Sequence, residues 1–177
     1  MKYKAKLITA AATLAIVASA STAIVAQDKY TLITPSGVAF SDFRGYEDWQ
    51  VVSSAQTDEV LKVIVANPAM IKAYKDGVPG NGKPFPEGSK IAKLQWKPKK
   101  STEAPFDVNV PDTFSQAFLM EKDSKRFPNS GGWGYALFNY DAASDTFSPD
   151  ASPADCGHTC HQAVKAKGDI FHPYQKR

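Results

Sequence analysis

Short apolar segments, separated by polar turns, run through the middle and the last third of the chain. Residues 60–66 are rich in branched aliphatic side chains, which favour an extended backbone. Three further segments mix aliphatic, aromatic and polar positions over seven or eight residues, as strands do. We therefore predict strands over residues 60–66, 90–96, 114–120 and 133–140.

Helical signals are fewer and shorter. Asn67 followed by Pro68 is typical of a helix start, and the helix should end near Gly77. Residues 41–49 predict a second short helix, whereas residues 141–155 are small and polar and predict a loop. Strands joined by tight turns without regular helical crossovers indicate an α+β protein, mainly an antiparallel sheet with a few short helices.

The first 26 residues have the order of a secretory signal peptide. Three lysines precede an apolar, alanine-rich stretch, and small residues follow at Ala20, Ala23 and Ala26. The alternative, a membrane anchor, is less favoured because the stretch is barely long enough to span and no charge cluster follows it. We expect cleavage to leave one domain over residues 27–177 in the periplasm, with no stable membrane span.

Removal of that segment changes the charge balance. The chain has 21 basic and 18 acidic side chains, and three of the basic ones are Lys2, Lys4 and Lys6. The mature chain is therefore formally neutral, with 18 of each. Nucleic-acid binding depends largely on excess positive charge, so we do not expect a nucleic-acid partner.

The candidate chemistry lies near the C-terminus, where the two cysteines of the chain, Cys156 and Cys160, precede His161. One interpretation is haem c, with both thiols bonded to the vinyl groups and His161 as the proximal iron ligand. Three residues separate the cysteines instead of the usual two, so we expect a bulge at the flexible Gly157. Two alternatives remain open: a local disulfide, and a zinc site that uses both cysteines and two of the histidines His158, His161 and His172.

If haem binds, a second axial ligand has few candidates. They are Met70, Met120, His158 and His172, and the two methionines fit the apolar core better. The distal face of the haem is then open to a small molecule.

Two stretches and the order of elements resemble the cytochrome P-460 family. The first runs from Lys122 to Phe127, followed by a glycine turn and residues 133–138. The second is the segment 156–174, with the cysteines and the histidine near the C-terminus. The resemblance spans residues 32–177 and favours the haem interpretation.

The resemblance implies a mainly β, often dimeric, periplasmic protein with one covalent haem c. Some members oxidise hydroxylamine and carry a lysine bonded to the porphyrin, whereas the sister cytochromes c′-beta lack that bond and bind diatomic gases. The matching residue here is Lys93, with Lys90 as the runner-up. Because residues three apart on a strand point to opposite faces, at most one of them should face the haem.

Three hypotheses follow. The first is redox chemistry on hydroxylamine or nitric oxide, with electrons passed to an acceptor cytochrome. The second is gas binding without turnover, and the third is a haem-free exported module with a disulfide or zinc. Arg126 and Arg44 could stabilise an anion in the distal pocket or be structural, and the structural role is favoured.

Overall fold

A computed structural model of the chain describes residues 26–152 and 156–175. Its centre is one six-stranded antiparallel sheet in which the strands follow each other in chain order. This confirms the predicted α+β class. The strands are β1 Gln50–Gln56, β2 Leu61–Ala66, β3 Lys90–Lys100, β4 Asn109–Lys122, β5 Trp133–Asp141 and β6 Thr146–Pro149.

Two short α-helices flank the sheet, α1 at Pro68–Lys75 and α2 at Cys156–His161. The side chain of Asn67 accepts a hydrogen bond from the Met70 amide at 3.1 Å, so the predicted helix start is confirmed. The predicted helix over residues 41–49 is wrong. The segment instead forms two 3-10 turns, because Gly45 between them has a φ of +83° that interrupts helical geometry.

The two outer strands were not predicted. β1 has the sequence QVVSSAQ, which is too polar to read as a strand in isolation. β6 lies inside the predicted loop over residues 141–155 and is only four residues long. Both are edge strands with one paired neighbour, and they form because the adjacent strand supplies hydrogen-bonding partners.

The central strands present two apolar faces, each with its own core. One face carries Ile64, Ile91, Met120 and Tyr135, which pack with α1 and with Ile170 near the C-terminus. The opposite face packs against the N-terminal 3-10 turns through the residues Val65, Ala92, Leu119 and Phe138. The alternation of side chains along the central part of these strands thus assigns neighbouring residues to different compartments.

Residues 1–25, most of the predicted signal peptide, lie outside the described residues. No helix within residues 26–152 and 156–175 is both long enough and apolar enough to cross a membrane. The described chain begins beside the sheet edge, where the Gln27 side chain exchanges two hydrogen bonds with the Phe147 backbone, at 2.6 and 2.8 Å.

Candidate haem site

A cavity of about 480 Å³ lies on the face of the sheet that carries Ile64, Ile91 and Met120. Strands β2 to β5 form one wall, and α2 with the C-terminal segment forms another. Its volume is typical of a pocket for a cofactor-sized ligand. The residues that contribute to the argument below are Lys62, Lys93, Phe118, Tyr135, Asp150, Cys156, Gly157, Cys160, His161, Phe171 and His172.

The two cysteines lie on α2 and both border the cavity. In an α-helix, residues four apart are neighbours on one face, so three intervening residues bring Cys156 and Cys160 together. The expected bulge is therefore absent, because a regular helical turn accommodates the longer spacing. Both thiols are free and exposed, and the two cysteines are not joined by the disulfide of the alternative interpretation.

Gly157 has a steric role rather than the flexible one we expected. A Cβ atom at this position would lie 2.6 Å from Cβ and 2.7 Å from Cγ of Tyr135. No side chain fits at such distances without movement of the helix or the strand. Because glycine has no side chain, α2 can lie directly on β5. This contact places both cysteines at the cavity wall.

His161, the last residue of α2, is oriented by a backbone contact. Its Nδ1 lies 2.6 Å from the carbonyl oxygen of Asp169, and that oxygen can only accept, so Nδ1 carries the proton. This leaves Nε2 with the lone pair that binds a metal. Burial outweighs the hydrogen bond and lowers the pKa of His161, which favours the neutral ring that a metal requires.

Zinc receives less support from the geometry. Within the part of the chain that the structure describes, no group of three or more histidine, cysteine or acidic side chains is arranged to hold a metal ion. The oriented imidazole of His161 beside two helical thiols at the cavity instead fits haem, which needs one protein ligand and space for a large flat ring.

Lys93 and Lys90 lie on opposite sides of the sheet. Lys93 borders the cavity, with Nζ 3.5 Å from the centre of the Phe118 ring. Burial, together with the charge of Lys62, lowers the pKa of Lys93 to about 8. Lys90 instead bonds the Asp42 carbonyl and lies 3.7 Å from the Glu121 carboxylate on the other face.

A comparison with protein families matches residues 43–172 to the family described as Cytochrome P460. The chain belongs to the cytochrome P460 family. No curated protein matches it in a separate comparison. Membership makes it a haem-binding cytochrome, and the cavity, the helical thiols and the oriented imidazole are the features of this chain that fit the haem.

The candidate axial ligands of this P460-family cytochrome differ in their position. Met70 is fully buried in the core, and His158 does not border the cavity. Met120 borders it but belongs to the buried core of the sheet. His172 borders the cavity from the C-terminal segment, where burial and then the charges of Lys93 and Lys62 lower its pKa.

Neither arginine of the distal-pocket hypothesis borders the cavity. Arg126 lies on the opposite face, 2.6 Å from the buried Glu121 carboxylate and 2.7 Å from the Gly37 carbonyl oxygen. Arg44 stacks on the ring of Tyr30, with 3.7 Å between the guanidinium carbon and the ring centre. Both arginines are structural in this chain.

The sequence interpretation missed several cavity residues. Phe118 and Tyr135 lie within predicted strands but were not named as site residues, yet both border the cavity. Lys62 was not singled out, although it shares a strand face with the buried Ile64. The signal that could have identified Lys62 is the alternation of side chains along β2. It places Lys62 on the same face as Ile64, which pairs with Lys93 on β3. Tyr135 is 8% exposed, and its hydroxyl has no hydrogen-bond partner among the described residues.

Proposed function

We propose that the mature chain, residues 27–177, is an exported c-type cytochrome that carries one covalent haem. The observation that supports this best is the orientation of His161, whose Nδ1 is held by the Asp169 carbonyl at 2.6 Å. The free Nε2 is then available to the iron, and Cys156 and Cys160 are available for two thioether bonds. The signal peptide that the sequence predicts over residues 1–26 supports a periplasmic location.

In this proposal, haem would supply a one-electron redox centre. His161 would ligate the iron, Cys156 and Cys160 would tether the ring, and the apolar wall that includes Phe118 would exclude water. The substrate is hydroxylamine or nitric oxide, and electrons leave one at a time to an acceptor cytochrome. A homodimer is part of the proposal because the family resemblance implies it, and light scattering on the mature protein tests it.

Lys93 is our candidate for a bond to the porphyrin edge. Such an N–C bond would replace one N–H and one ring C–H, and a two-electron oxidant such as a peroxide would have to take up the two electrons and two protons. The low pKa of about 8 supports this role because the reactive form of an amine is the neutral one. Lys90 is the weaker candidate because its amine is engaged with Asp42 and Glu121.

The reduced absorption spectrum of the mature, haem-loaded protein tests these assignments. A lysine-bonded haem gives a ferrous Soret band far to the red of an ordinary haem c, and K93M should abolish the shift while K90M should not. Mass analysis of the haem peptide then counts the bonds to Cys156 and Cys160. Colourless protein from a host with working cytochrome maturation would leave only the haem-free hypothesis.

A second candidate function is gas binding without turnover. The feature that favours it is the scarcity of carboxylates at the cavity, since Asp150 is the one carboxylate among the described residues that border it. Oxidation of hydroxylamine releases protons, and Asp150 already accepts hydrogen bonds from Asn139 and Ser152. Hydroxylamine turnover with an artificial electron acceptor separates the two candidates, because a gas-binding protein gives none.

A further inference from the structure

Three basic side chains converge on one side of the haem cavity. Lys62 on β2 pairs with Gln95 on β3, and Ile64 pairs with Lys93, so the two lysines are diagonal neighbours on the same face. His172 enters from the C-terminal segment and borders the same cavity. All three side chains border this one cavity, and the charges of both lysines contribute to lowering the pKa of His172 after burial.

This basic cluster lacks a counter-ion among the described residues. The ion pairs among the described residues involve other lysines and Arg126, and neither Lys62 nor Lys93 forms an ion pair. The one carboxylate that borders the cavity within the described ranges, Asp150, is occupied by the Asn139 side chain at 3.0 Å and by Ser152. Partly buried charges without a partner are unfavourable, so the cluster is suited to receive an anion from outside the chain.

We propose that Lys62, with Lys93 and His172 beside it, forms an anion-binding site within the haem cavity that takes a small oxyanion or a carboxylate. The inference rests on the proposed function, because the anion shares the cavity with the haem. If Lys93 becomes bonded to the porphyrin, Lys62 is the primary amine that remains. The test therefore centres on Lys62.

Two sources can supply such an anion. One is a free oxyanion of nitrogen that approaches the open axial position, and the other is a propionate carboxylate of the haem itself. Both accept hydrogen bonds from an ammonium group, and such charge-assisted bonds are stronger than neutral ones. The site chemistry is the same in both cases, and the experiment distinguishes the sources.

The experiment titrates the ferric, haem-loaded protein with nitrite and, separately, with the neutral ligand imidazole. We expect K62Q to weaken nitrite binding about tenfold and to leave imidazole binding unchanged, whereas K62R retains nitrite affinity. K83Q is the matched control because Lys83 is an exposed lysine of the loop before β3. Circular dichroism shows that each variant is folded.

A propionate as the partner gives a different pattern. Nitrite affinity is then the same in K62Q, and the propionate bending band in the resonance Raman spectrum shifts in K62Q but not in K83Q. The inference is overturned if neither quantity changes, or if K62Q weakens nitrite and imidazole equally. The reduced spectrum is recorded first, so that absence of haem, which refutes the proposed function, is not mistaken for failure of the anion site.

Discussion

The amine of Lys93 lies on the Phe118 ring inside the cavity, away from bulk water. This burial, with the charge of Lys62, lowers the pKa of Lys93 from its ordinary 10.5 to about 8. Between those two values the unfolded chain holds a proton that the folded chain has released. The stability of the fold must therefore rise with pH over this range.

We predict this rise for haem-free wild-type chain relative to K93M. The difference in the free energy of unfolding between them should change by about 1–3 kcal/mol from pH 8 to pH 10.5, measured by urea unfolding. K83M serves as the control, because Lys83 is exposed in the loop before β3 and lies outside the cavity. Parallel curves for wild type and K93M would show that the cavity does not perturb this amine.

The lack of a side chain at Gly157 is a second feature of a single residue that affects the stability of the fold. In G157A the new Cβ meets the Tyr135 side chain at 2.6 Å, and this conflict outweighs the roughly 1 kcal/mol that alanine adds to a helix. We expect a net loss of about 1–2 kcal/mol and a lower haem content, measured by urea unfolding and by absorbance. G80A, where the nearest atom is 3.4 Å away, should be nearly neutral.

At the scale of elements, Arg126 joins three segments on the face opposite the cavity. It contacts Glu121 of β4 at 2.6 Å, Asp42 of the N-terminal 3-10 turns at 3.3 Å and the Gly37 carbonyl oxygen at 2.7 Å. Gly37 directly follows residues 34–36, which border the haem cavity. The arginine thus fixes a cavity wall from outside the cavity.

We predict that R126Q destabilises the fold by about 2–3 kcal/mol, because Glu121 is buried and loses its closest cation while Lys90 remains. Thermal or urea unfolding measures the loss. As a comparison, K99Q breaks an exposed pair with Asp112 and should cost less than about 1 kcal/mol. Equal effects of the two substitutions would contradict the role of Arg126 as a clamp.

A comparison of the predicted and observed elements shows which features can be read from the sequence alone. The central strands and the Asn67 helix start were predictable, because their signals are local: branched residues, alternation and a capping side chain. β1 and β6 were not, since their formation depends on neighbours far along the chain. At the site, cysteine and histidine identities were evident, but the helix that carries them and the second lysine, Lys62, depend on tertiary packing.

At the scale of the whole molecule, the predicted signal peptide can be tested through the N-terminus of the mature protein. We expect the mature protein in a periplasmic extract to begin at Gln27, and its intact mass identifies the first residue. Ser21 and Ile24 are the other first residues that the three candidate cleavage sites allow. The Gln27 side chain is already bonded to Phe147 of β6. Full-length protein retained in the membrane fraction would contradict cleavage.

The sheet is a meander, because each strand pairs with the strand that precedes it and the one that follows. A chain threaded through an export channel from its N-terminus can therefore close its hydrogen-bonded ladders in order of emergence. The helix with Cys156 and His161 comes out last, after every strand. In the exported cytochrome that we propose, haem attachment would follow strand pairing, and we expect substitutions that delay strand pairing to reduce the yield of coloured protein before they reduce the total amount secreted.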